Sequence, residues 1–212
     1  MQQVQSHWLQ PAAAAAFRQM QQAAATAGIS ISIASSYRDF ASQTRIWQAK
    51  LNGQRPVFDV SGQQIALGGL DERSKLFAIL HFSAFPGTSR HHWGTDIDVF
   101  DQAAIPSDYQ LQLSPGEYAP EGPFNRLAQW LSQHATHFGF FLPYRKFLGG
   151  VAAEPWHLSY RPLASRFMAQ LTTQHVLAAN QNQQLFSKQL LEMEIEEIMQ
   201  RYVLNISEDN NE

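Results

Sequence analysis

The chain is 212 residues long, 44% hydrophobic and 12% aromatic, which is enough for one domain with a sizeable core and unlike a disordered chain. Fifteen basic against eighteen acidic residues leave a formal charge of -3 with no basic stripe, so nucleic acid is excluded as an expected partner. The lack of cysteine excludes disulfides, thiolate metal ligands and a cysteine nucleophile.

No apolar run approaches the ~20 residues of a membrane span, and the opening Met-Gln-Gln-Val lacks the charged and apolar regions of a secretory signal, so a soluble chain is expected. Residues 11–27 read as a helix, with Ala13, Phe17, Met20, Ala24 and Ala27 on one stripe and Gly28 behind it. Ile29, Ile31 and Ile33 alternate with serines, the period of a half-buried strand that delivers Ser36, Tyr37 and Arg38 at its end. Asp39 suits the cap of a second helix running to Leu51, and residues 52–69 read as a loop or short hairpin over the site. A third helix is expected over 71–85, with His81 as a packed or surface residue.

A strand over 97–100, a loop over 105–122, a helix over 124–137 and a strand over 138–141 follow. His134 and His137 then suit the C-terminal dipole of their helix rather than a metal. A loop over 144–151 leads into a strand over 152–160, in which Pro155 marks an edge or bulge that turns Glu154 and His157 the same way. Beyond Pro162 the pattern predicts a helix to about 179 and another over 183–201, its acidic run on a solvated face. A short edge strand over 202–206 and a disordered tail from Ser207 complete the expectation. No repeat or linker divides the chain, so residues 1–212 read as a single domain, with a core over about 29–160 and a helical extension over about 162–206.

The chemistry concentrates in Ser-Arg-His-His-Trp-Gly-Thr-Asp-Ile-Asp at 89–98 and Glu-Pro-Trp-His at 154–157. Two histidines, an aspartate and one further carboxylate are what a catalytic zinc site needs: three ligands, an open position and a base beside it. His91, Asp98 and His157 are the proposed ligands, and Glu154 is left free to take a proton from the attacking water. Asp96 lies two residues from Asp98 on the same strand face and is the rival ligand. Gly94 lets the chain turn between the first two ligands.

The pattern Ser-x-His-x-x-Gly-x-x-x-Asp followed by Glu-Pro-Trp-His resembles the VanY-like D-alanyl-D-alanine carboxypeptidases, zinc metallopeptidases related to the lysostaphin and hedgehog folds. That spacing favours Asp98 over Asp96, and it leaves His92 outside the ligand set. Upstream, Ser-Tyr-Arg-Asp-Phe-Ala-Ser-Gln at 36–43 is similar to the family's arginine element. By that similarity Arg38 would hold a terminal carboxylate or polarise the scissile carbonyl, Gln43 would contact the peptide and Ser89 would line the site. The sequence departs from the pattern at Thr95-Asp96, where the family usually has small or apolar residues, and at His92 directly after a ligand.

The pattern of helices and scattered strands predicts an α+β fold, a small mainly antiparallel sheet carrying the zinc site with helices packed on one side, and the resemblance implies the same. It also implies one Zn2+ per chain and a carboxypeptidase that removes a terminal D-alanine from peptidoglycan stem peptides, with D,D- or L,D-specificity open. The substrate class suggests the periplasm or cell envelope, with the cytoplasm also open. An endopeptidase or D,D-dipeptidase of the same zinc class shares every one of these residues. A zinc-stabilised module that binds cell-wall peptides without turnover would not need Glu154.

Overall fold

A computed structural model describes residues 1–207. In chain order the elements are β1 (Gln2–Val4), β2 (His7–Leu9), α1 (Pro11–Thr26), β3 (Ile31–Ser35), α2 (Phe40–Leu51), β4 (Val57–Phe58), β5 (Gln64–Ile65) and α3 (Glu72–Leu80). They continue with β6 (Asp96–Asp101), α4 (Pro115–Tyr118), α5 (Asn125–His134), β7 (Phe140–Phe141), β8 (His157–Tyr160), α6 (Arg161–Gln170), α7 (Thr173–Asn180) and α8 (Lys188–Ile198). No helix is long and apolar enough to cross a membrane among the described residues.

The fold is α+β, built on an antiparallel sheet in the order β3-β6-β8-β7. Its two faces differ because side chains alternate along each strand. Ile31, Ile33, Ile97, Val99 and Leu158 go to one face, where Phe17 and Met20 of α1 and Leu127 and Leu131 of α5 cover them in one apolar cluster. A second cluster joins Trp47 of α2, Leu76, Ile79 and Leu80 of α3, Val176 of α7 and Leu191, Ile195 and Ile198 of α8. Each fully buried side chain of this size stabilises by about 1.5–3 kcal/mol, so both clusters matter to stability.

Local signals account for most helix ends. Asp39 caps α2 by accepting from Ser42 N (2.7 Å), and Asp71 caps α3 by accepting from Ser74 N (2.7 Å). Helix α3 is shorter than expected and stops at Leu80, where the His81 carbonyl turns away to accept from Ala152 N (2.8 Å). The loop expected over 105–122 contains α4, whose Ser114 and Glu117 form a capping box. The helix expected after Pro162 is split between α6 and α7 at Thr172, which caps α7 through His175 N (3.3 Å).

Four further expectations are corrected. The strand expected over 152–160 is ordered as strand only from His157, because Pro155 and Trp156 form a turn and Glu154 precedes it. Residues 199–203 continue α8 as a π-helical turn with Tyr202 and Val203 buried, and no edge strand forms over 202–206. Ser207 is buried and its N–H donates to the Pro143 carbonyl (2.8 Å), while the rest of the expected tail lies outside the described residues. Glu194 in the acidic run is also buried, paired with Arg73 at 2.6 Å.

Candidate metal centre and its cleft

The polar face of the sheet builds the site. Asp98 and His157 are direct cross-strand partners in the β6–β8 register, and Asp96 is the partner of Ser159. Their apolar neighbours point to the core, so these four polar side chains share the opposite face. His91 arrives from a single 3-10 turn over Arg90–Trp93, which ends at Gly94 with φ 67°.

The histidine tautomers follow from what their outer nitrogens face. His91 Nδ1 lies 2.8 Å from the Ser36 carbonyl, which can only accept, so Nδ1 carries the proton and Nε2 is left bare 3.3 Å from Asp98 Oδ2. His157 Nε2 donates to Asp96 Oδ1 (3.1 Å), and its Nδ1 points at Asp98 Oδ1 (3.0 Å). One ligand atom from each of His91, Asp98 and His157 lies within 4.8 Å of the other two. The Asp98 separations are close to the edge, about 3.3 Å, of a tetrahedron with bonds of ~2.0–2.1 Å. The donor set, buried and free of sulfur, fits a zinc-type ion.

Burial and close charges together shape the protonation of these groups. Burial alone would lower the His157 pKa, yet hydrogen bonds to Asp96 and Asp98 push it up to about 10. Burial would raise Asp98, and His91 and His157 beside it hold its carboxyl far below the usual range. Glu154 is pushed up to about 8 by burial, with Asp98 adding to the effect and His157, Lys50 and Arg38 opposing it. Its Oε2 is 3.6 Å from His157 Nδ1, and its backbone is fixed by Glu154 N to the Tyr144 carbonyl (2.8 Å) and His157 N to the Glu154 carbonyl (3.1 Å).

The two departures from the motif find separate places. Asp96 is fully buried and lies behind His157, where Arg90 Nε (2.9 Å) and Thr95 Oγ1 (2.5 Å) also donate to it. Arg90 donates as well to Ser159 Oγ (2.6 Å), so the cross-strand pair is bridged by one guanidinium. His92 points elsewhere: its Nε2 accepts from Gly87 N (3.1 Å) and its Nδ1 donates to the Arg38 carbonyl (2.6 Å). It anchors the arginine's backbone and stays clear of the His91, Asp98 and His157 cluster.

Arg38, Ser89, His91, Asp98, Glu154 and His157 all line one cleft of about 530 Å³. Gln43 does not line it. Its amide is used up behind Arg38, with Oε1 accepting from the guanidinium (2.8 Å) and Nε2 donating to the Ala84 carbonyl (2.6 Å), so it positions the arginine. Ser35 Oγ holds the other guanidinium nitrogen at 2.8 Å. The cleft also takes in Lys50, Arg55 and Tyr144, which the motif did not single out. Tyr144 packs on His157 with ring centroids 5.1 Å apart, and burial keeps its phenol protonated. His81, His134 and His137 are not brought to the site.

A family model described as VanY: D-alanyl-D-alanine carboxypeptidase matches residues 6–163. The chain belongs to this family. An uncharacterized protein of Haemophilus influenzae is 36% identical over 118 residues, covering 55% of this chain and 90% of its own. Among solved structures, a complex of VanYB with D-alanine-D-alanine is similar with a TM-score of 0.56 at 19% identity, covering 87% of this chain and 88% of that one. A mutant of the vancomycin-resistance D,D-pentapeptidase VanY, crystallised with Zn(II), gives 0.54 at 21% identity and covers 80% and 83%. At these identities the structural likeness establishes the VanY-type fold.

Proposed function

We propose that this VanY-family chain is a zinc-dependent carboxypeptidase that hydrolyses a terminal D-alanine from peptidoglycan stem peptides. The observation that carries the reading is Glu154, a buried carboxylate not required as a ligand, in the same cleft as the His91, Asp98 and His157 donors and as Arg38. In this reading His91 Nε2, one Asp98 oxygen and His157 Nδ1 hold the ion. Zinc, when bound, supplies Lewis acidity to the scissile carbonyl and to the attacking water.

The chain's own residues do the rest. Glu154 takes the proton of the attacking water and returns it to the leaving amine, a role open to a buried carboxylate that lines the cleft and is not needed as a ligand. Arg38 presents a permanently charged fork to the free terminal carboxylate, and Gln43 and Ser35 fix that fork in place. Ser89 and Tyr144 line the cleft beside them, and the protonated phenol can donate a hydrogen bond to the substrate.

The test is product analysis by mass spectrometry of muropeptides and D-Ala-ending peptides with zinc-loaded protein, each peptide supplied as C-terminal acid and as amide. Hydrogen bonds to charged groups contribute roughly 1.5–3 kcal/mol against about 1 for neutral ones. Amidation is therefore expected to slow turnover by about one to two orders of magnitude, and Arg38→Ala to erase most of that difference. Equal cleavage of acid and amide by the unmodified protein would replace this reading with the endopeptidase one.

A further inference from the structure

One face of helix α2 supports Arg38 at its start and carries Lys50 near its end. Gln43, which holds the Arg38 guanidinium, is followed on that face by Trp47 and Lys50, and all three reach the segment at 83–84: Gln43 and Trp47 through the Ala84 carbonyl (2.6 and 2.8 Å), Lys50 through Ser83 Oγ (2.7 Å). Seven residues of helix separate Gln43 from Lys50, about 10 Å along the axis. Lys50 is 9% exposed, and that hydroxyl is its sole hydrogen-bond partner among the described residues. Arg55 lines the same cleft without an ion pair among the described residues.

A buried ammonium with one neutral partner and two guanidinium neighbours is poorly satisfied. The burial pushes its pKa down to about 8, with Arg55 and Arg38 adding to the effect and Glu154 opposing it. Asp98 and Glu154 are the carboxylates that line the cleft, and both are committed to the metal and the attacking water if the function above holds. Three cations then remain without an anion of their own. Arg38 takes one substrate carboxylate. The leaving alanine has only that carboxylate, and its side chain is a methyl group, so a second negative charge has to come from the acyl side of the scissile bond.

We propose that Lys50, assisted by Arg55, receives a second carboxylate of the substrate, carried on the acyl side of the scissile bond. This rests on the carboxypeptidase reading, and it narrows the substrate class to peptides with an acidic group one or two residues before the terminal D-alanine.

The experiment separates binding from turnover. Peptides ending in D-Ala, with Glu or Gln at the penultimate position or at the one before it, are titrated calorimetrically into zinc-loaded Glu154→Gln protein, while unmodified protein is assayed for turnover of the same peptides. In at least one of the two pairs the acid should bind at least about tenfold tighter than the carboxamide, the factor expected of a charge-assisted contact. Adding Lys50→Met should bring the pair within about twofold, and Lys50→Arg should restore most of the gap. If Lys50→Met does not fold, Arg55→Gln at the exposed edge of the cleft should narrow the gap instead. Equal affinities for acid and carboxamide in both pairs overturn the proposal, whatever the turnover. A binding preference without any turnover leaves the acidic subsite standing and removes the carboxypeptidase reading.

Discussion

On the sheet wall of the cleft, His91 is tied to the Ser36 carbonyl, His157 to Asp96, and Asp96 in turn to Arg90 and Thr95. On the α2 wall, Lys50 has a single hydroxyl and Arg55 has no ion pair among the described residues. Each wall rests on its own apolar cluster, the sheet on the one shared with α1 and α5, and α2 on the one shared with α3, α7 and α8. The difference matches what each wall would do in the proposed function. Groups that share an ion must sit within a few tenths of an ångström of fixed positions, and this takes redundant buried partners. A charge meant for a ligand is best left with few partners in the empty state, because it then gains most on binding.

On that contrast, the largest losses are expected from the sheet wall. Substituting His91, Asp98 or His157 with Ala should abolish zinc binding and turnover together, which metal analysis of the purified variants checks; undiminished zinc in any of the three would remove that residue from the ligand set. Glu154→Gln should retain the metal and lose about 10²–10⁴-fold in rate. A loss below about tenfold with zinc unchanged would mean that Glu154 is not the base.

Asp96→Asn sharpens the comparison because Asp96 touches His157 without belonging to the metal trio. Removing the carboxylate behind a ligating histidine typically costs about 10–100-fold in metal affinity, measurable by competition with a chelating dye. It also strands Arg90, whose side chain is 3% exposed. Breaking a buried pair in this way costs about 3–5 kcal/mol, and urea denaturation of the metal-free protein should show that loss. The same denaturation on Lys50→Met should show none, because a poorly satisfied buried ammonium gives way to a side chain of similar length. A destabilised Lys50→Met would mean that the lysine holds the fold, as Arg90 does.

Much of the sheet wall is legible in the sequence. The alternation of Asp96, Ile97, Asp98 and Val99 on β6 announces one polar and one apolar face, and the same period on β3 announces its partner. Which aspartate groups with His91 and His157 could not be read from alternation alone, since it depends on the non-local register that sets Asp98 opposite His157 and Asp96 opposite Ser159; the family spacing pointed to Asp98. Glu154 was expected on a strand and lies ahead of the Pro155–Trp156 turn that leads into it, because Pro155 cannot donate to a ladder. The α2 wall was far less legible. A lysine in the last turn of a helix reads as a solvated partner of the dipole. Lys50 is buried only because the chain after α3 folds back across it at 83–84, a contact more than thirty residues away in sequence.

The smallest expected effect tests whether the α2 wall acts through charge. Burial holds the Lys50 ammonium at a pKa of about 8, below its usual value, with Arg55 and Arg38 pressing the same way and Glu154 opposing them. The sign follows directly: below about pH 8 the ammonium is charged and the preference for an acidic peptide is fully present, and as the pH rises through that value the charge and the preference are lost together. A bound carboxylate favours the charged form and moves the midpoint upward. The ratio of affinities for the Glu and Gln peptides should therefore fall by up to about tenfold between pH 7 and pH 10. Arg55→Gln should leave that decline in place, since a guanidinium keeps its charge throughout the range, whereas Lys50→Arg should flatten it. A ratio independent of pH in the unmodified protein would assign the acidic preference to Arg55 and Arg38, and would leave Lys50 as a packing residue.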